Sequence, residues 1–281
     1  MTVIVTAKVN DGIVLAADSA ATFFAADGHP LKIYNNANKI FNLVKVWPIG
    51  ACVYGSGGIG SASVETLSKD LRKKFSNPSD GEYFLDRDNY TVQEVAIKAR
   101  RFLFEDCYHA AYPEPLPNFV MGYRVCGYSA QSSSSEIWEF MIVGAECAEP
   151  YRIQAEHQYG LRWAGDNEAL DRLILGASGS VRDLAIEKGL ATPENVGDLY
   201  LEIINRAGVR WIIPAMPIQD AIDVARFAVE TSAKFARYGI RAETIGGPTE
   251  LAAITKHEGF KWVSRKHYYP ESLNRETDHG Q

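Results

Sequence analysis

Thr2 and Asp18 bracket the first stretch of this chain that can do chemistry. If Met1 is removed, Thr2 carries a hydroxyl and a free amine on one residue. A hydroxyl is a poor nucleophile until a base takes its proton, and an α-amine with an unperturbed pKa near about 8 can serve as that base. Threonine is small enough for an initiator methionine before it to be trimmed. The acid closes the run Val3-Ile-Val-Thr-Ala-Lys-Val-Asn-Asp-Gly-Ile-Val-Leu-Ala-Ala-Asp18, which reads as a β-hairpin.

The turn of that hairpin fixes where the acid points. Asn10-Asp11-Gly12 fits a three-residue loop with a left-handed glycine, which sets Val9 opposite Ile13, Val5 opposite Ala17 and Thr2 opposite Ala20. In this register Val3, Val5, Val9, Ile13, Leu15 and Ala17 form one apolar face. Thr2 shares the other face with Asp18, two residues or roughly 7 Å away. The two do not touch, but a long cation held by the carboxylate can lie beside the threonine and lower the pKa of its hydroxyl and amine. A two-residue loop would send Asp18 to the opposite face.

The following elements frame this hairpin. Lys39 to Val46 and Ile49 to Tyr54 read as strands turned by Trp47-Pro48. Val64, Leu67, Leu71 and Phe75 have helical spacing after a Ser61 cap, and Thr91-Val-Gln-Glu94 is a capping box opening a helix to Ala111. Pro113, Pro115 and Pro117 end it. Strands are expected at Phe119 to Tyr128, Glu136 to Val143 and Tyr151 to Gln158, and helices at Asn167 to Gly176 and Pro217 to Tyr238. Short helices at Ser180 to Lys188 and Asn195 to Ala207 fill residues 177–215, read as a helical insertion. A hairpin of Leu251 to Thr255 and Phe260 to Val263 closes a single domain spanning residues 1–264, and residues 265–281 form a polar tail.

Thr2, the Asp11-Gly12-Ile-Val-Leu-Ala-Ala-Asp18-Ser19 run and Asn38-Lys39-Ile40 resemble the threonine, aspartate and lysine segments of proteasome β subunits and their bacterial relatives, among the N-terminal-nucleophile hydrolases. Ala51-Cys-Val-Tyr-Gly55-Ser-Gly is similar to the segment that supplies their oxyanion-binding amide, and the likeness returns at Gly246-Gly247. The resemblance covers the first 75 residues best. It implies an α+β fold, a four-layer αββα sandwich, and a threonine endopeptidase-like hydrolase acting on a peptide or small amide. Thr2 is then the nucleophile, Lys39 the cation, Asp18 its partner and Gly55 the oxyanion donor. Where the family has Gly-Ser-Gly before a helix, this chain has Gly165-Asp166-Asn167. Its Asp-x-x-Ser is here Ala242-Glu-Thr-Ile245. Asp166, Asn167 and Thr244 are therefore the candidates to orient the amine. A homo-oligomer, a ring or another assembly, is also implied, with no ATPase partner specified. The substrate-facing wall is expected near Ala21, Thr22, Cys52 and Tyr54.

Other readings attach to the same residues. An aspartate ending a strand is commonly a turn former. Lys32, in Pro30-Leu-Lys-Ile, competes with Lys39 for the cation's role. A chain can also keep such a fold as an inactive structural subunit. Gly55-Ser-Gly57-Gly-Ile-Gly60 satisfies the dinucleotide-binding pattern after a strand and before a helix, which would make a nucleotide-binding module. That motif requires a parallel strand ending in an acid within about 30 residues, and Asn77-Pro-Ser-Asp-Gly81 leads toward another helix instead.

Composition narrows the classes. The chain has 46% hydrophobic and 23% charged residues, the balance of an ordinary globular protein. A net charge of −6, with Arg72-Lys73-Lys74 the densest basic cluster, argues against a nucleic-acid partner. No apolar run approaches the roughly 20 residues that span a bilayer. The four cysteines lack metal-ligand spacing and point to a reduced cytoplasm, and the chemistry calls for no metal or cofactor.

Overall fold

Strand β1 (Val3–Val9) and its partner β2 (Gly12–Ala17) are buried at every position, in a computed structural model that describes residues 2–24, 29–240 and 242–266. After them come β3 (Ala21–Phe24), β4 (Pro30–Tyr34), β5 (Ile40–Asn42), β6 (Ile49–Gly55), β7 (Gly58–Ile59) and β8 (Ala62–Ser63). Helix α1 (Val64–Ser76) follows, then α2 (Val92–Arg100), which runs through a π-helical stretch (Arg101–Tyr108) into α3 (His109–Ala111). Five strands succeed them: β9 (Val120–Tyr128), β10 (Ser135–Val143), β11 (Glu146–Cys147), β12 (Tyr151–Gln154) and β13 (Gly160–Gly165). The remainder is α4 (Glu168–Leu170), α5 (Ser180–Glu187), α6 (Val196–Ala207), α7 (Ile218–Tyr238), β14 (Glu250–Thr255) and β15 (Gly259–Ser264).

The product is a mixed α and β structure in which every described strand pairing is antiparallel. One sheet has the order β13-β1-β2-β14-β15. A second runs β11-β10-β9-β6-β5, with β12 also paired to β10. Three apolar clusters account for their positions. Val5, Val14 and Ala16 of the first sheet pack with Ala225, Ala228 and Val229 of α7, whose small residues admit close approach. Leu71, Phe75, Val95 and Ala99 of α1 and α2 pack with Tyr123 and Phe140 of the second sheet. Ile4, Ile13 and Leu15 of one sheet meet Cys52, Cys126 and Ile137 of the other. No described helix is long and apolar enough to cross a membrane.

The opening hairpin departs from expectation. Val9 pairs with Gly12 and Ile4 with Ala17, so the loop is the two residues Asn10 and Asp11 and the register moves by one. Gly12 is a strand residue there because β14 comes close: a Cβ would lie 2.4 Å from the Ile254 carbonyl oxygen. The expected single apolar face is therefore split, with Val3, Val5 and Val9 on the α7 side and Ile13, Leu15 and Ala17 between the sheets. Alternation carried no signal because both faces are buried.

Other boundaries shift by local causes. The α1 cap is Ser63, whose hydroxyl accepts from the Thr66 amide, and not Ser61. Thr91 accepts from the Glu94 amide at 3.0 Å, as its capping pattern predicts. The strand expected over Lys39 to Val46 is only β5, and the one expected to reach Gln158 stops at Gln154. Strands β3, β7, β8, β11 and β13 fall where the sequence pattern predicts none. Helices α5 and α6 lie within residues 177–215. The polar tail lies outside the described residues beyond Lys266.

Lys8, buried on β1, donates to the carbonyls of Ala155 and Glu156 at 3.1 and 2.9 Å. Burial, reinforced by the Arg152 charge, pushes its pKa down from 10.5 to about 8. Between those values the unfolded chain binds more protons than the folded one, so Lys8's contribution to stability rises with pH. Denaturant melts should therefore show wild type gaining on Lys8→Met as pH climbs from about 8 to about 10. A pH-independent difference would contradict this.

Candidate active site

Strand β2 ends at Ala17, so the side chain of Asp18 escapes the alternation that the shorter loop would impose. Its Oδ1 accepts from the Val3 amide at 3.0 Å and from Lys39 Nζ at 2.6 Å. Its Oδ2 accepts from the amides of Ala20 and Gly246 at 3.0 and 3.1 Å. Four donors, one of them cationic, fix this carboxylate. The late glycine pair thus contributes a backbone amide to the acid.

Lys39 is the partner, while Lys32 is exposed on β4. Lys39 precedes β5, and its carbonyl accepts from the Val53 amide at 3.0 Å, which anchors it to β6. The ion pair is buried, with side chains 6% and 1% exposed. Burial pulls the Lys39 pKa below the usual lysine value, and the Asp18 charge and hydrogen bond oppose that.

Thr2 is buried one residue before β1, where Val3 pairs with Gly165 of β13. Its carbonyl accepts from the Asp166 amide at 2.7 Å. Gly165 has φ of +99°, and a Cβ on it would lie 1.9 Å from the Thr2 carbonyl oxygen. Gly165→Ala should therefore displace Thr2 and cost at least about 1–3 kcal/mol for the backbone alone. A denaturant melt together with the rate of Thr2 acylation checks this, and a variant normal in both would refute the close fit.

Thr2, Lys39 and Gly55 line one cavity of about 450 Å³, together with Ala21, Thr22 and Tyr54. Gly55, with φ of +82°, ends β6 where the neighbouring Ser56 amide donates to the Val120 carbonyl at 2.7 Å. Cys52 does not line this cavity. It points between the sheets, and burial pushes its thiol up to about 12, so it is no rival nucleophile. A second cavity of about 510 Å³ is also lined by Thr2, Tyr54 and Gly55, with Asn167 at its wall.

The supporting candidates divide. Asp166 adjoins Thr2 through its backbone, and its Oδ1 accepts from the Glu168 amide at 3.3 Å. Asn167 shares the second cavity with Thr2. Thr244 is wholly buried, lines neither cavity, and its hydroxyl makes no hydrogen bond among the described residues. Removal of Met1 concerns a residue outside the described ones. The glycine run from Gly55 to Gly60 leads into the β7–β8 ribbon before α1 begins, and β6 is antiparallel to both neighbours. That is not the parallel crossover of a dinucleotide site.

Glu250 and Lys266 carry no signal in the sequence, yet they form a further buried ion pair beside that of Asp18 and Lys39, with Oε2 and Nζ 3.4 Å apart. Glu250 opens β14 and Lys266 follows β15, positions that carry no periodic signal.

No family model matches the chain, and no curated protein does. Among solved structures it is similar to a chain of the helical assembly of the Anbu complex from Pseudomonas aeruginosa. The TM-score is 0.51 and the identity 13%, over 96% of this chain and 90% of that one. At this identity the likeness is one of fold. These findings correct the sequence-level resemblance to proteasome β subunits: short segments around Thr2, Asp18, Lys39 and Gly55 do not amount to membership of that family. Such segments span too few positions to define a family, whereas a fold is maintained by burial pattern through wide divergence.

Proposed function

We propose that the chain is a threonine-type N-terminal-nucleophile hydrolase that cleaves amide bonds. The observation that carries this is the buried Asp18–Lys39 ion pair set at the start of β1, with Thr2, Lys39 and Gly55 around one cavity. The three apolar clusters and the fold likeness support a four-layer αββα reading.

In this mechanism the amine of Thr2, directly or through a water, takes the proton from its own Oγ, which attacks the substrate carbonyl. Lys39, kept charged and oriented by Asp18, lowers the pKa of the attacking oxygen. The Gly55 amide stabilises the tetrahedral oxyanion, a donor worth about 3 kcal/mol in such sites. The proton passes to the leaving amine, and water then resolves the ester on Thr2. Asp166, joined to Thr2 through its backbone, and Asn167, at the wall of a cavity that Thr2 also lines, are the candidates to orient the amine, ahead of Thr244, which lines neither cavity. Either a peptide or a small amide suits this nucleophile. A homo-oligomer is the expected state, supported by the helical assembly of the structural neighbour. Four free cysteines fit a reducing compartment such as the cytoplasm.

Incubating the purified chain with a pool of unstructured peptides and simple amides, followed by mass spectrometry of the products, tests the activity. New amine termini and carboxylates that depend on Thr2 are expected. An unchanged pool, under conditions in which the chain is assembled, would contradict the reading.

A further inference from the structure

A second ammonium lies behind the Asp18–Lys39 pair and has no part in the mechanism above. Lys266, with a side chain 8% exposed, donates to Ser19 Oγ and to the Ala37 carbonyl, both at 2.6 Å, and faces Glu250, itself 1% exposed. Ser19 directly follows Asp18, and Ala37 stands two residues before Lys39. The Ala37 amide donates to the Ser19 carbonyl at 2.9 Å, the Ser19 amide to Gly246 at 2.8 Å, and the Ser19 hydroxyl to the Pro248 carbonyl. One amine thus ties the segment bearing the acid to the segment bearing the cation, and both to the start of β14.

We propose that Lys266 is a positioning residue that holds Asp18 and Lys39 in register for acyl transfer, with Glu250 as its counter-charge. The proposal rests on the reading of Thr2 as nucleophile. Glu250 Oε2 stands 3.4 Å from Lys266 Nζ and favours its charged form. The groups acting on Lys39 are then Asp18 beyond β2, Glu250 on β14 and Lys266 beyond β15, while Glu65 on α1 also faces Lys266. Lys266 repels a proton from Lys39, and Asp18 and Glu250 favour one. Lys39 helps Thr2 only while it is charged, so the loss of its proton sets the alkaline limit of the reaction.

The test uses the full chain with Met1 removed, verified by mass, and follows acylation of Thr2 by a β-lactone as a function of pH. Lys266→Met should slow acylation by roughly tenfold or more through misplacement. It should also move the alkaline limb to higher pH. Adding Glu250→Gln should bring that limb back toward wild type, because Glu250 acts on Lys39 with the opposite sign, and Lys266→Arg should restore both rate and limb. The midpoint of Lys39 itself, read from its 13Cε resonance, should rise in Lys266→Met. Normal wild-type acylation with an unmoved limb and midpoint in Lys266→Met, the rate following only the melting temperature, overturns the role of Lys266. A wild-type chain with free Thr2 that is not acylated overturns the nucleophile reading beneath it.

Discussion

Thr2→Ala is expected to abolish amide hydrolysis while leaving the chain folded. The substitution removes the attacking oxygen and keeps the α-amine, the Asp18–Lys39 pair and the backbone contact from Asp166 to the residue 2 carbonyl. Loss of a nucleophile in comparable hydrolases costs roughly 10⁴- to 10⁶-fold in turnover, which leaves only what binding and the oxyanion donor supply. Removing a hydroxyl and a methyl group at the start of a strand should change stability by no more than about 1–2 kcal/mol. Single-turnover rates paired with denaturant melts separate the two effects. Thr2→Ser, which preserves the oxygen, should retain turnover. Wild-type rates in Thr2→Ala would remove Thr2 from the mechanism.

The second large effect belongs to Lys39. Lys39→Ala removes the cation that shares a cavity with Thr2 and leaves Asp18 as a buried charge with only amide donors. Breaking a buried pair in this way costs about 3–5 kcal/mol of stability, much of it the penalty of the charge left behind. Asp18→Asn on top of Lys39→Ala should therefore cost less than the two single changes added together. In catalysis kcat should fall by roughly 10²-fold or more, because the charge acts on the transition state, with little change in KM. An effect confined to KM would assign Lys39 to substrate binding instead.

Of the proposed site residues, Thr2 and Asp18 stand out by type and place, a small hydroxyl residue behind the initiator and an acid where a strand stops, while Lys39 and Gly55 are marked only by the resemblance. The structure gathers Thr2, Lys39 and Gly55 at one cavity and pairs Lys39 with Asp18. The hairpin register was not legible, since β1 and β2 are apolar on both faces and a one-residue slip leaves the pattern intact. Asp18 reached its partner anyway, because backbone amides from Val3, Ala20 and Gly246 aim it, and not strand alternation. The Glu250–Lys266 pair was hidden by distance: it joins the start of β14, the end of β15 and the turn after β2, and only folding brings these together. Thr244, which stands where the family's serine is expected, is wholly buried and lines neither cavity.

The most direct test is the intact mass of the purified chain before and after treatment with a β-lactone, with the adduct mapped by peptide sequencing. A chain lacking Met1 that gains a single adduct, located on Thr2, is expected. A chain that retains Met1, or an adduct at any other residue, would contradict it.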